Sequence, residues 1–350
     1  MTNNDVTQKF PLDESRRLVR HLLKPNPVIY WLDFLFSISL GWGSFILALQ
    51  AALFSPLQII LYVVSALALY RAVIFIHELA HLRRGSFGLF RIVWNLVCGF
   101  PLLAPSFTYR GVHTDHHMRD VYGTFEDGEY VPFAVGSPWH LVSYVALALV
   151  LPLAMAGRFI LLTPLSYLFP PLRGWLWAHA ASLTIDFAYV RPAATERDGN
   201  TWRLQEFMAF AYGAGAVVLV LLHVLPVSVL ILWYAVSTLV FILNSLRTLA
   251  AHCYRNPGEA KMTIPEQFLD SVDVPGNRFL TTLWAPVGLR YHATHHLFPS
   301  MPYHQLGTAH RLLKRELSDN RLYLQASRRS LWDALSRIWR EARMASVHSD

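Results

Sequence analysis

The sequence predicts an all-α membrane protein, with four transmembrane helices arranged as two hairpins under a cytoplasmic helical cap that gathers clustered histidines. Three observations predict it. Of 350 residues, 54% are apolar and only 15% charged, against roughly 25% charged in an average soluble domain. Two stretches are almost free of charge, and each is long enough to cross a bilayer twice. Finally, 8 of the 16 histidines fall in three short clusters, at a span end or outside those stretches. The same composition excludes a disordered chain, and 2 cysteines in 350 residues exclude a disulfide-stapled scaffold.

Residues 1–27 form a polar N-terminal segment with Arg16, Arg17, Arg20 and Lys24. The apolar run that follows is too long for a cleavable signal. Residues 28–70 carry one charge, Asp33, and residues 207–246 carry none. Each stretch is about twice the ~20 residues that cross a bilayer as helix. Phe54-Ser55-Pro56 and Pro226 stand near their midpoints as turn signals. Spans are therefore expected at 28–53, 57–76, 207–225 and 227–249. The chain then divides into a first hairpin (28–76), a cap segment with two histidine clusters (77–206), a second hairpin (207–249), and a cap segment with the third cluster (250–350). Leu331, Leu335, Ile338 and Trp339 recur at helical spacing and predict an amphipathic helix in the tail.

Positive charge orients this arrangement. Arg83, Arg84 and Arg91 follow the second span, Arg247 and Arg255 close the fourth, and the hairpin turns have no Lys or Arg. The positive-inside rule places both termini and the long polar segments in the cytoplasm. The net charge of +7 then reads as orientation in a bilayer and not as contact with nucleic acid. Residues 141–172, broken by Arg158 and four prolines, and residues 92–109, with Asn95, Pro101 and Pro105, are expected to be interfacial or re-entrant. Arg71, inside the second span, is expected to snorkel to the headgroups.

The clusters are His77-Glu78-Leu79-Ala80-His81, His113-Thr114-Asp115-His116-His117 and His292-Ala293-Thr294-His295-His296. On a helix, positions i, i+3 and i+4 share a face, so each cluster can aim two or three imidazoles at one point. Zinc normally takes four ligands; eight histidines suit two metals. Imidazole is a good ligand for iron, which cycles redox states and activates dioxygen, and a histidine-rich di-iron centre follows. The carboxylate type of di-iron site needs two Glu-x-x-His pairs, and only Glu78-x-x-His81 is present. The first cluster also spells His-Glu-x-x-His, the zinc metalloprotease motif with Glu78 as base. That rival leaves six clustered histidines without a role. A metal transporter would hold its ligands near the bilayer midplane, unlike these. For the clusters to share a site, the chain must cross the membrane an even number of times between 81 and 113 and between 117 and 292. Asp115 and Glu78 either orient imidazoles or face solvent. His140, His179, His223, His304 and His310 read as structural, the last two also as hydrogen-bond partners of the site.

With the closing run His292-Ala293-Thr294-His295-His296-Leu297-Phe298-Pro299-Ser300-Met301-Pro302-Tyr303, the three clusters in this order resemble the membrane fatty acid desaturase family, over about residues 28–313. The resemblance implies two irons in a cytoplasmic cap. It implies His77 and His81, then His113, His116 and His117, then His292, His295 and His296 as ligands, with His252 after the last span as a ninth. It further implies oxygen-dependent desaturation of a long-chain acyl substrate carried on CoA, acyl carrier protein or a glycerolipid, with hydroxylation as the alternative in the same superfamily. The chain shows no flavin or dinucleotide fingerprint and no haem or iron–sulfur cysteine motif. Electrons are thus expected from an external acidic carrier such as ferredoxin or cytochrome b5, docking on the Arg-rich cap.

Overall fold

A computed structural model describes residues 10–83, 85–194 and 201–349; Arg84 of the predicted basic group lies outside them. Among the described residues the structure is helical, with isolated bridges and no strand. The helices used below are α1 (Leu12–Val19), α2 (Pro27–Gln50), α3 (Pro56–His81), α4 (Gly88–Trp94), α5 (Phe107–His116), α6 (Leu151–Leu168), α7 (Thr201–Leu221), α8 (Ser228–Ala251), α9 (Ile264–Asp270), α10 (His292–Leu297), α11 (Tyr303–Glu316) and α12 (Leu331–Ser349). Five of them, α2, α3, α6, α7 and α8, are long and apolar enough to cross a membrane. Four overlap the expected spans, with α7 beginning at Thr201 rather than at 207 and α3 running on to His81. The fifth, α6, falls in the segment expected to be interfacial.

The chain forms two compact units. One comprises the N-terminal segment through Ile29, His113–Val145 and the chain from Asn244 onward; the other comprises Tyr30–Val112 and Ala146–Leu243.

In the second unit, the α2–α3 hairpin turns where the sequence signals it. Phe54 adopts a left-handed conformation (φ 56°), and the Ser55 hydroxyl accepts the Gln58 N–H at 3.2 Å as the N-cap of α3. Arg71 does not snorkel. Its guanidinium pairs in a two-pronged contact with Asp33, Nε to Oδ1 at 2.7 Å, so the two charges expected to stand alone in the hairpin neutralise each other. Tyr30, Phe34, Phe75 and Phe90 pack edge to face beside them. The Arg91 guanidinium donates to the carbonyls of Leu79 and Leu82, both at 2.7 Å, closing the C-terminal turn of α3. Tyr62 donates to the Ala235 carbonyl at 3.1 Å, tying α3 to α8.

The charge that seemed to break α6 is also neutralised. Arg158 is buried and reaches Glu206 of α7 at 2.5 Å, and Arg173 reaches the same carboxylate at 2.7 Å. A buried pair removes the isolated-charge penalty that made Arg158 look like a helix boundary. What interrupts α6 is a π turn at Gly157–Leu162.

The first unit has its core where α1, α9, α10 and α11 meet, around Val19, Leu22, Phe268, Leu306, Leu313 and Tyr323. The expected tail helix forms as α12. Its small and branched residues Ala334, Ile338 and Ala342, at four-residue spacing, are fully buried, and the helix packs on the turn Phe133–Val135.

Candidate metal centre

Seven of the nine histidines singled out by sequence lie in the first unit. His113 and His116 are carried by α5, and His117 continues its last turn, with its N–H on the His113 carbonyl at 3.3 Å. His252 directly follows α8, and His292, His295 and His296 ride on α10. Six residues are too few for a helix to hold itself in water. α10 is held by Asp273, whose buried carboxylate accepts the Thr294 N–H at 3.0 Å and the Thr294 hydroxyl at 2.6 Å. His310 Nδ1 lies 2.8 Å from the same carboxylate, and the Tyr323 hydroxyl lies 2.6 Å from that of Thr294. His310 thus reaches α10 only indirectly, through the Asp273 carboxylate that also accepts from Thr294.

These seven rings form two neighbouring groups. His116, His252, His292 and His296, all buried, offer ligand atoms within 4.8 Å of one another, and so do His113, His117 and His295. α5 and α10 each contribute to both groups, and the rings of His117 and His296 stack at 4.4 Å between them. His292 Nε2 lies 2.9 Å from His252 Nε2 and 3.1 Å from His296 Nε2, and His295 Nε2 lies 3.1 Å from His117 Nε2. For a metal–nitrogen distance of about 2.1 Å, ligands at right angles sit about 3.0 Å apart. The donor set therefore fits a metal in a square or octahedral arrangement in both chemistry and spacing. Burial, reinforced by the neighbouring imidazoles, lowers the pKa of His252 and His296 well below the usual histidine range. Neutral imidazole is the form that ligates.

Carboxylates stand behind two of the rings. His116 Nδ1 is 2.8 Å from Asp127, and His113 Nδ1 is 2.8 Å from Glu129. A carboxylate can only accept, so each Nδ1 carries its hydrogen, and in the neutral, ligating form of the ring Nε2 presents the lone pair. For His116, burial disfavours the charged ring, but Asp127, Glu129 and Asp270 together outweigh it and the pKa is raised. Sequence reasoning missed Asp127, Glu129, Asp273 and Tyr122, whose hydroxyl lies 2.8 Å from His252 Nδ1. The one available signal was the acidic turn Asp127-Gly128-Glu129 soon after the second cluster.

The remaining two histidines, His77 and His81, lie in the second unit. They share one face of the last turn of α3, with ring centroids 4.9 Å apart. Glu78 is buried rather than facing solvent, and its carboxylate accepts the Tyr30 hydroxyl. His304 accepts the Asn26 N–H at 3.2 Å.

The family model described as fatty acid desaturase matches residues 54–328. The chain is also 39% identical over 336 residues, 96% of its length and 95% of the relative's, to a protein of Caulobacter vibrioides (strain NA1000 / CB15N) described as a ceramide hydroxylase. Both point to an oxygen-dependent oxidoreductase of the desaturase and hydroxylase superfamily. The expected resemblance holds, and the chain belongs to the fatty acid desaturase family.

Proposed function

We propose that the protein is a membrane di-iron hydroxylase that inserts oxygen into the hydrocarbon part of a ceramide-type lipid. The observation that carries this reading is the 39% identity, along nearly the whole of both chains, to a relative described as a ceramide hydroxylase. His116, His252, His292 and His296 would hold one iron. His113, His117 and His295 would hold the other, with His77 and His81 completing the set on the strength of their i, i+4 spacing at the end of α3. Bound there, two irons would supply dioxygen activation and oxidation of an unactivated C–H bond. The protein's own residues hold and aim the ligands: Asp127 and Glu129 fix the rings of His116 and His113, and Asp273 fixes the helix that bears His292, His295 and His296. A ceramide resides in the bilayer, so no soluble acyl carrier is required, and the apolar helices lie in the same medium as the substrate. Four spans with both termini and the site on the cytoplasmic side accord with the placement of arginine around the hairpins. An acidic carrier would deliver electrons to the Arg-rich face.

Desaturation is the second reading, favoured by the description of the family model. The zinc protease reading loses its base, because the Glu78 carboxylate is engaged by Tyr30 within the protein interior. Lipid profiling by mass spectrometry of a ceramide-supplied host, together with metal analysis of the purified protein, decides among the three. A product heavier by one oxygen, made by the wild type and absent with His296→Ala, is the expected result. A product lighter by two hydrogens selects desaturation. A purified protein with one zinc and no iron overturns the di-iron assignment.

A further inference from the structure

His252 is the one candidate ligand that stands outside the clusters, so helical spacing does nothing to aim it. The structure holds it by other means. The Val272 N–H donates to the Ala251 carbonyl at 2.8 Å and the Cys253 N–H to the Asp270 carbonyl at 2.5 Å, so the backbone of the segment 270–272 straps both sides of the histidine. Arg337 of α12, itself buried, donates to the His252 carbonyl at 3.0 Å. The ring is held by hydroxyl groups. His252 Nδ1 lies 2.8 Å from the Tyr122 hydroxyl and 3.3 Å from the Ser271 hydroxyl. Tyr122 in turn lies 3.0 Å from Asp270 Oδ2, and Tyr122, Ser271 and Asp270 are all buried.

Counting protons sets the direction of these bonds. The Ser271 hydroxyl donates to the Gln267 carbonyl at 2.8 Å, so it faces His252 as an acceptor. The phenol has one proton and the Asp270 carboxylate accepts; with that proton directed to Asp270, the phenolic oxygen also faces His252 as an acceptor. Both neighbours of Nδ1 therefore call for an N–H there, which leaves the lone pair on Nε2, the atom 2.9 Å from His292 Nε2. We infer that Tyr122 and Asp270 form a relay that positions His252, fixing its tautomer and ring orientation and so setting the metal affinity of the four-histidine group. This rests on the reading of that group as a metal site. It differs from the arrangement at His113 and His116, where a carboxylate meets the ring directly.

The test is cobalt(II) uptake by full-length, metal-stripped protein in detergent, in competition with a chelator and followed by the visible absorption of the bound ion. The wild type is expected to take up two ions. Tyr122→Phe removes only a hydroxyl and is expected to weaken one of the two by about 10–100-fold, the usual effect of losing such an outer partner, while the other keeps its affinity. Asp270→Asn is expected to act in the same direction. The double variant should be little worse than Tyr122→Phe alone, because both changes break one chain. A merely structural role would lower the unfolding temperature of the metal-free protein without separating the two affinities. Wild-type affinities at both ions in a folded Tyr122→Phe overturn the relay alone, and a wild type that binds no metal overturns both the relay and the site. If Tyr122→Phe does not yield folded protein, Asp270→Asn decides by the same criterion.

Discussion

A buried imidazole presents one nitrogen to a metal reliably only when the other is committed elsewhere. Asp127 makes that commitment for His116 and is itself fixed by two backbone donors, the Gly123 N–H at 2.8 Å and the Glu129 N–H at 2.9 Å. It thereby ties the turn that follows α5 to the ring that α5 aims. Asp127→Asn keeps the shape and one acceptor oxygen but removes the charge. It should leave the helical content unchanged and lower metal affinity by about 10–100-fold, read by chelator competition; unchanged affinity would remove Asp127 from the account. At this scale the sequence was legible where one helix carries the information. The eight clustered histidines could be picked out because i, i+3 and i+4 share a face. The groups behind them could not. Asp115, offered as an orienting carboxylate, lies two positions from His113 and one from His116, which are offsets that point away from the ligand face. The carboxylates found there, Asp127 and Glu129, come 11 and 16 residues later in the chain, brought back by a turn that no spacing rule relates to the cluster.

Among the elements, α6 shows why a hydropathy reading stops at a charge that the fold does not treat as one. A window over the sequence sees Arg158 alone, whereas the folded chain sees it against Glu206, with only 8% and 2% of the two side chains exposed. The same blindness applied to Asp33 and Arg71, 38 residues apart in sequence and paired across the hairpin. Arg173 joins the α6 pair and also lies over the rings of Tyr167 and Trp202 at 4.9 Å, so Glu206 faces two cations. Removing the carboxylate leaves Arg158 buried and unpaired, which costs about 3–5 kcal/mol. Glu206→Leu should therefore lower the unfolding temperature in detergent markedly. Adding Arg158→Met should restore most of the loss, since replacing both members of a buried pair by apolar residues is often close to neutral. If Glu206→Leu unfolds at the wild-type temperature, the pair does not stabilise α6. The hairpin turns and the tail helix, by contrast, were readable from sequence because their signals are local: Phe54-Ser55-Pro56 and Pro226 near the midpoints of the apolar stretches, and Leu331, Leu335, Ile338 and Trp339 at helical spacing.

For the whole molecule, the number of membrane crossings is constrained by the fold of a single unit. His116 lies in the same compact unit as His252, His292 and His296, with ligand atoms within 4.8 Å, so residues on either side of the intervening chain must be on one side of the bilayer. Between His117 and His252 the described residues include three helices apolar enough to cross, α6, α7 and α8. An odd number of crossings would separate rings that the fold brings together. α7 and α8 are the longer two, 21 and 24 residues, and are joined by a tight turn in which His223 has a φ of 58°. α6 is the shortest at 18 residues, contains a π turn and carries the buried arginine. It is the helix expected not to cross, lying instead at the cytoplasmic interface with its charges satisfied. Cysteine substitution and labelling with a membrane-impermeant reagent tests this directly, since both native cysteines are buried. Gly174 is exposed and a Cβ there meets no atom within 4 Å, so Gly174→Cys is a benign probe of the segment just after α6. It should be labelled from the same side as Glu126→Cys and Arg321→Cys, in inverted vesicles, whereas Phe54→Cys and His223→Cys in the hairpin turns should be labelled in intact cells. Labelling of Gly174→Cys from the side of Phe54 would mean that α6 crosses, and then a further crossing, hidden from hydropathy, would have to lie between His117 and His252 to keep the four histidines together.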